Sequence, residues 1–122
     1  MSEEIKSILT FERPWGKYTN LDGSDNGPYK VKRIVVYPGG KLSLQKHTHR
    51  SEHWTIVSGS GIVQLGEQLI PVSTNSRIYI EKEEIHRIQN NGDIDLVFIE
   101  VQVGSYLGED DIQRLDDIYN RN

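Results

Sequence analysis

The sequence predicts an all-β protein, and its composition and hydrophobic pattern both support this class. Ile and Val are frequent and Ala is absent, which favours strands because β-branched side chains pack well on a pleated surface. Most of the eleven glycines lie beside Asn, Asp, Ser or Pro, the residues of tight turns. At 122 residues the chain can bury one core, and roughly eight to ten short strands predict a closed barrel or a double-sheet jelly roll.

The N-terminal segment is expected to precede the folded domain. Residues Met1–Leu9 have weak helical spacing and predict a short helix or an arm. Pro14 and Gly16 then interrupt regular structure. We therefore expect an N-terminal arm over residues 1–12 and a single domain over residues 13–122.

Short runs of alternating residues predict the strands of this domain. In most of them apolar and polar side chains alternate, as in a strand with one face on the core. Turn residues, such as Gly66-Glu67 between two of the runs, separate them. The predicted strands are, in order, Lys17–Leu21, Tyr29–Tyr37, Lys41–His49, His53–Ser58, Ile62–Leu65, Gln68–Val72, Arg77–Glu81, His86–Asn90 and Leu96–Val103.

The pattern changes near the C-terminus, where a short helix is predicted. Ile112, Leu115, Ile118 and Tyr119 recur at helical spacing and would form one apolar face. The acidic run Glu109–Asp111 precedes them and suits a helix N-terminus, where the helix dipole favours negative charge. We therefore expect this run to open a helix and not to bind a second metal ion.

Charge and composition exclude several classes of protein. The 14 basic and 18 acidic side chains are interspersed and give a net charge of −4, so we expect neither nucleic acid nor a membrane surface as partner. The sequence has no apolar run of membrane-spanning length and no signal peptide, and a cytoplasmic protein is expected. Because the chain has no cysteine, any metal ion must be held by nitrogen and oxygen ligands.

Polar residues with metal-ligand chemistry recur on two predicted strands. Gln45, His47 and His49 share one face of their strand, and Glu52 follows a corner at the start of the next strand. His86 begins a distant strand that can approach from across a barrel. Gln45, His47, Glu52 and His86 can therefore converge on one divalent ion.

The spacing of these residues resembles the first cupin motif. Gly39, Gln45, His47, Glu52 and Gly59 occupy the motif positions, with glutamine in place of the motif's first histidine. This resemblance implies a cupin-type double-stranded jelly-roll barrel with a short C-terminal helix. It also implies that the conserved positions of the motif bind a metal ion.

The second cupin motif is matched at its end and altered at its start. His86 and Asn90 stand at the spacing of the motif's last two positions. Asn75 replaces its leading glycine, and Glu81 and Glu83 replace its proline and glycine. The ligand position is therefore kept, whereas the turn before it departs from the family's pattern.

Further segments resemble one cupin family, the type II mannose-6-phosphate isomerases. In that family this unit is commonly the C-terminal half of a bifunctional enzyme whose other half is a mannose-1-phosphate guanylyltransferase. The transferase half has no counterpart in this sequence, so we do not expect its activity here. The matching segments are Arg13–Gly16, Tyr29–Ile34, Leu42–Gln45, His49-Arg50, Glu52–Trp54, Val57–Gly59 and Gly104–Ile112.

The resemblance implies interconversion of mannose 6-phosphate and fructose 6-phosphate through an enediol. One divalent ion would stabilise the developing negative charge, with zinc expected first and manganese, cobalt, nickel or iron as alternatives. Arg50 and His49 are the expected catalytic residues, the first for charge stabilisation and the second as a proton carrier. Lys32, Arg33 and Arg87 are candidates for binding the phosphate.

Two other functions remain open at this point. The chain could act as an isomerase or epimerase on another phosphorylated or nucleotide-linked sugar, or as a sugar-binding or regulatory cupin without turnover. The charged turn Glu81–Glu84 keeps these alternatives open, because it would place negative charge near a site for an anionic substrate. We also expect a homodimer, with Trp15 and the N-terminal arm reaching the partner.

Overall fold

The computed structural model describes residues 10–119, which form eleven β-strands and no helix. The all-β prediction is therefore confirmed. Within these residues, no helix has the length and apolarity needed to span a membrane. The strands are β1 Thr10–Arg13, β2 Gly16–Gly23, β3 Tyr29–Val36, β4 Leu44–Lys46, β5 Arg50–Ser58, β6 Ser60–Leu65, β7 Gln68–Ser73, β8 Arg77–Ile80, β9 His86–Gln89, β10 Leu96–Gly104 and β11 Gln113–Asp116.

The strands pair into two antiparallel sheets. The larger sheet has the order β1-β2-β3-β10-β5-β8, and the smaller has the order β11-β4-β9-β6-β7. Most neighbours within a sheet are distant in the sequence, and β10, for example, lies between β3 and β5. This interleaving places residues from three parts of the chain side by side.

The hydrophobic core lies between the two sheets. Phe98 and Ile56 of the larger sheet are almost fully buried and belong to the same cluster as Val63 and Ile88 of the smaller sheet. Trp54 stacks against Phe98, with ring centroids 4.7 Å apart. Each sheet therefore contributes one apolar face, as expected for strands with alternating apolar and polar residues.

The inward face of the larger sheet changes from apolar to polar along its strands. Residues directly opposite one another in antiparallel strands project to the same face, so the pairing of β3, β10 and β5 aligns their side chains in rows. Four members of the two polar rows, Lys32, Glu100, Trp54 and Glu52, line the floor of a pocket at this end of the barrel, and Lys30 and Gln102 are buried beside them. From the core outward the rows are Ile34–Phe98–Ile56, Lys32–Glu100–Trp54 and Lys30–Gln102–Glu52.

The predicted C-terminal helix is wrong. Gln113–Asp116 forms β11 and pairs with β4, which would otherwise be an exposed edge of the smaller sheet. Leu115 and Ile118, which the helix would have buried, are exposed, whereas Ile112 and Arg114 line the pocket at the two-residue period of a strand. An isolated short helix is marginally stable because its first turn is costly to form, whereas the strand gains backbone hydrogen bonds from β4.

Other boundaries differ less. Of the predicted arm, Met1–Leu9 lies outside the described residues, and Thr10–Arg13 forms β1, which pairs with β2. The strand predicted over Lys41–His49 is confined to β4, because Lys41 forms only an isolated bridge to β9. Trp15, expected to reach a partner chain, is only 7% exposed and lines the pocket.

Candidate metal centre

The pocket at the polar end of the barrel contains the predicted metal ligands. It encloses about 130 Å³ and is lined by residues of both sheets. His47, Glu52 and His86 each present a ligand atom, and these atoms all lie within 4.8 Å of one another. The Nε2 atom of His47 and the Oε2 atom of Glu52 are 3.2 Å apart. Ligands about 2.0–2.1 Å from a tetrahedral ion are separated by roughly 3.3 Å, so this spacing fits a divalent ion.

Backbone carbonyl groups fix the orientation of both imidazole rings. The Nδ1 atom of His47 lies 2.7 Å from the carbonyl oxygen of Asp111, and that of His86 lies 2.8 Å from the carbonyl oxygen of Glu84. A carbonyl oxygen can only accept, so each Nδ1 must carry the proton and donate it. In this tautomer Nε2 is the ring atom that can bind a metal ion, which is the usual arrangement of metal-binding histidines.

Gln45 lies beside this group. It is buried, lines the pocket and is directly opposite His86 in the pairing of β4 with β9. Its Nε2 donates a hydrogen bond to the carbonyl oxygen of Ser43, 3.2 Å away. The amide oxygen is then the atom of this side chain available to a cation.

Arg50 contacts both Glu52 and His47. Its Nε donates to Oε2 of Glu52 over 2.7 Å, and its NH2 group lies 3.3 Å from Nε2 of His47. Trp54 donates to the other carboxylate oxygen of Glu52 over 2.9 Å. Burial alone would raise the pKa of Glu52, but the adjacent Arg50 guanidinium outweighs it and holds the pKa well below its usual range. Glu52 is therefore an anion with its two oxygens held in place.

Burial lowers the pKa of His47 to about 4, although the negative charge of Glu52 opposes this shift. The ring is accordingly neutral at physiological pH, the state that a metal ligand requires. With two imidazoles, one carboxylate and one amide, the donor set suits a divalent ion of the zinc, manganese or iron type. The residues present therefore fit the ion implied by the sequence motifs.

The three candidate phosphate ligands lie in different environments. Lys32 is buried in the pocket, where it forms an ion pair with Glu109 and lies over the ring of Tyr18. Arg33 has the opposite strand parity and is exposed. Arg87 is buried away from the pocket lining, and its NH2 group bonds to Asp116. Only Lys32 of the three contributes to the pocket.

His49 does not line the pocket. Its side chain is 51% exposed, and its Nδ1 lies 3.2 Å from the carboxylate of Asp111. His53 is exposed and packs against Tyr79, with ring centroids 4.8 Å apart. Arg50 is therefore the one of the two expected catalytic residues that the structure places beside the ligands.

Asp111 supports the corner between β4 and β5, which carries His47. The sequence did not reveal this role. Its carbonyl oxygen accepts from His47, and its carboxylate accepts the backbone N–H groups of Thr48 and His49. Burial would raise the pKa of Asp111, but these hydrogen bonds lower it below its usual value. The acidic run that was expected to open a helix instead anchors the corner between β4 and β5.

Glu100 and Glu109 are further pocket residues that sequence reasoning missed. Glu100 is buried beside Lys32 in the floor, and Glu109 approaches Lys32 from the segment after β10. The alternation of Leu96–Val103 indicated that Glu100 faces inward with Phe98, but nothing local to the sequence indicated what it would face. Glu109 was expected to lie at the start of the C-terminal helix, which the structure replaces with β11.

The charged turn before His86 forms outside the pocket. Glu81 and Glu83 are exposed, and none of the three glutamates of Glu81–Glu84 lines the pocket. Glu83 has a φ of 67° and Asn75 a φ of 76°, so both adopt the left-handed conformation that glycine favours. These are two of the positions at which the cupin motif has glycine. The turn is thus formed without glycine, and its Glu84 carbonyl orients His86.

Comparisons with known sequences identify one family. The family model described as "Mannose-6-phosphate isomerase C-terminal" matches residues 2–117. The alginate biosynthesis protein AlgA of Pseudomonas syringae pv. tomato is 49% identical over 118 residues, covering 97% of this chain and 24% of the relative. A mannose-1-phosphate guanylyltransferase of Salmonella muenchen is 44% identical over 113 residues, covering 93% of this chain and 24% of the relative. The chain thus spans about a quarter of the length of these curated relatives.

Solved structures share the fold at low sequence identity. The capsular polysaccharide assembling protein CapF of Staphylococcus aureus has a TM-score of 0.73 and 21% identity, covering 89% of this chain and 32% of CapF. A cupin-superfamily sugar phosphate isomerase from Silicibacter pomeroyi has a TM-score of 0.63 and 18% identity, covering 71% of this chain and 58% of that one. At these identities the likeness establishes the cupin fold, which confirms that part of the sequence-based expectation.

Proposed function

The chain belongs to the mannose-6-phosphate isomerase C-terminal family, and from that membership we propose that it is a metal-dependent aldose–ketose isomerase that interconverts mannose 6-phosphate and fructose 6-phosphate. The observation that carries this proposal is the convergence of His47, Glu52 and His86 in a pocket whose floor also holds a buried lysine. A sugar phosphate needs both features. Its carbonyl end requires stabilisation of negative charge, and its phosphate end requires a cation.

The cationic end of the pocket lies on β3. Lys30 and Lys32 are each 4% exposed, and their Nζ atoms approach one carboxylate oxygen of Glu109, 3.7 Å away in the case of Lys30. Glu109 itself is about half exposed. We expect the substrate phosphate to bind Lys32 at this point and to displace Glu109, since both are anions competing for the same ammonium groups.

The separation of the two ends matches a phosphorylated sugar. Lys32 on β3 and Trp54 on β5 are both opposite Glu100, so Lys32 lies two strand spacings from the strand that carries Glu52. Two spacings amount to roughly 9.5 Å. A hexose 6-phosphate laid across the floor would therefore place its phosphate over β3 and its reacting carbons towards β5.

The chemistry at the carbonyl end needs a cation and fixed hydrogen-bond donors. When bound by Gln45, His47, Glu52 and His86, a divalent ion, with zinc expected first, would supply a Lewis acid that polarises the sugar carbonyl. Arg50 is held by Glu52 at the same place, and its guanidinium can stabilise negative charge on the enediolate oxygen. The glutamates of the turn before His86 lie outside the pocket and do not oppose an anionic substrate there.

A coupled assay tests the proposal. Protein treated with chelator should not convert mannose 6-phosphate to fructose 6-phosphate, and refilling with single divalent metals should restore turnover with at least one of them. Absence of turnover with every metal would refute the proposed reaction. Melting-temperature shifts with other sugar phosphates and with nucleotide sugars would then identify the ligand class, because a ligand that binds the native state stabilises it.

A further inference from the structure

The proposed isomerisation needs a side chain that moves a proton between C1 and C2, and no residue assigned so far does this. His49, the candidate from the sequence, lies outside the pocket with its ring against Asp111. His47, Glu52 and His86 are committed as ligands, Arg50 remains protonated because its pKa is raised, and Lys32 is expected to bind the phosphate. Among the described residues that line the pocket, Tyr18, Glu100 and Glu109 remain as ionisable groups able to accept a proton.

Two of these three are unsuited to the role. Burial raises the pKa of Tyr18 above its usual value, so its hydroxyl does not act as a base near neutral pH. Glu109 forms an ion pair with Lys32 at the half-exposed side of the pocket, where the phosphate is expected. Lys32 lowers its pKa despite the opposing effect of burial, which makes it a weaker base.

Glu100 occupies the centre of the pocket floor. It is opposite Lys32 on one side and opposite Trp54 on the other, and the adjacent row contains Glu52. It is 4% exposed, and its Oε2 accepts a 2.5 Å hydrogen bond from Gln102. Directly opposite side chains have Cβ atoms about 4.5–5.5 Å apart, so the carboxyl group lies between the phosphate end and the metal end. The reacting carbons of a bound hexose phosphate would lie in this interval.

The surroundings of Glu100 also give it the acid–base strength that the step needs. Burial, the largest influence, raises the pKa of Glu100 above its usual value, against the opposing charges of Lys32 and Arg50. A carboxyl group with such a pKa is a stronger base than an exposed one and can return its proton near neutral pH. Gln102 holds one of its oxygens in place.

We propose that Glu100 is the catalytic residue that carries the proton between C2 and C1 of the open-chain sugar, an inference that rests on the proposed isomerase function. The Glu100 carboxylate takes the proton from C2. The C2–H electron pair becomes the C1=C2 bond, and the carbonyl pair moves to O1. In the second half, the O2–H proton is transferred to O1, the O2–H electron pair forms C2=O, and the C1=C2 pair takes the proton from Glu100 to form the new C1–H bond. Atoms and electrons balance without an oxidant or reductant.

The variant Glu100→Gln, which keeps the shape of the side chain, tests this role in the metal-loaded protein. We expect kcat for mannose 6-phosphate to fall by roughly 10²–10⁴-fold, the usual contribution of a general base, while KM and metal content stay close to wild type. Loss of deuterium from C2 of labelled substrate, either to C1 of the product or to water, should fall in parallel. Glu67→Gln, an exposed change in the β6–β7 turn, should leave both rates unchanged.

A second variant with a shorter side chain distinguishes loss of catalysis from a folding defect of the first. Glu100→Asp keeps the carboxyl group and withdraws it by one methylene, so kcat should fall by at least about tenfold with unchanged KM. If the wild type is active and either folded variant keeps the wild-type kcat and the wild-type rate of deuterium loss from C2, the role of Glu100 is overturned. The proposed isomerase function would still stand. Wild type inactive in both measurements would overturn the proposed function and, with it, this inference.

Discussion

Glu52 and Glu100 are buried carboxyl groups on neighbouring strands, and their pKa values are shifted in opposite directions. Glu52 is held ionised by Arg50, whereas burial favours the protonated form of Glu100. Pairs of titratable groups separated in this way are typical of sites in which one group is a fixed anion and the other exchanges protons. The two carboxyl groups thus have different proposed roles because their surroundings differ.

The raised pKa of Glu100 predicts a pH-dependent effect of Glu100→Gln on stability. Between about pH 4.5 and pH 8, folded wild type binds more protons at this residue than the unfolded chain does. Its free energy of unfolding should therefore decrease as pH rises through this window, whereas glutamine does not titrate. The stability of the variant relative to wild type should rise by roughly 1 kcal/mol per pH unit at most.

Urea unfolding of chelator-treated protein at several pH values from 5 to 8 measures this difference. Glu67→Gln, at an exposed turn, serves as the control and should show a nearly constant difference from wild type. A constant difference for Glu100→Gln as well would mean that Glu100 has an ordinary pKa in the folded protein.

Backbone strain at Glu83 gives a second prediction. A left-handed conformation costs a residue with a side chain about 1–2 kcal/mol, and glycine avoids this cost but loses about 0.5–1 kcal/mol through its flexible unfolded state. Glu83→Gly should therefore stabilise the protein by about 0.5–1 kcal/mol. The lost pair with Lys46, 3.8 Å apart and largely exposed, should matter little.

Asn75→Gly is the matched comparison, because Asn75 has nearly the same φ. Asparagine tolerates this conformation better than glutamate does, so its replacement should gain less. Denaturant unfolding measures both variants. A greater gain at Asn75 than at Glu83 would contradict the strain assigned to the turn before His86.

The segment from Leu107 to Asp116 shows how one element can support a site on others. Its Asp111 anchors the corner that carries His47, its Glu109 pairs with Lys32, and β11 covers the edge of β4. The acidic run Glu109–Asp111 stood out in the sequence, but it was expected to open a helix. The three-residue apolar spacing was misleading because pairing with β4, a contact distant in sequence, determines this structure.

Asp111→Ala should weaken metal binding, because the corner at Thr48 and His49 loses the carboxylate that accepts its N–H groups. Loss of such supporting contacts typically reduces metal affinity 10–100-fold. Asp110→Ala is the matched control. Asp110 is exposed, and within residues 10–119 its carboxylate accepts a hydrogen bond from the Tyr106 hydroxyl and none from the corner at Thr48 and His49. Competition with a chromophoric chelator measures both affinities, and equal affinities would contradict the anchoring role of Asp111.

Considered as a whole, the barrel combines an apolar core with a polar pocket on the same strands. Local spacing was enough to predict the all-β class and to select Gln45, His47, Glu52 and His86, because the first three lie close together and strand parity fixes their faces. Glu100 could not be selected in this way. Its place between Lys32 and Trp54 depends on β10 pairing with both β3 and β5, and a single sequence does not reveal such long-range register.

All the residues proposed to bind metal and substrate belong to this one chain, although it spans only about a quarter of its curated relatives. The described part of the chain already brings together the ligands, the cationic floor and Glu100. The homodimer expected from the sequence stays a prediction.

A metal titration followed by isomerase activity tests the proposed site most directly. Chelator-treated protein is titrated with one divalent metal, and bound metal and conversion of mannose 6-phosphate are measured on the same samples. We predict that turnover rises in proportion to bound metal and saturates at one ion per chain, and that His47→Ala and His86→Ala lose both. Full turnover in metal-free protein, or stoichiometric metal in both variants, would contradict a metal-dependent isomerase at this site.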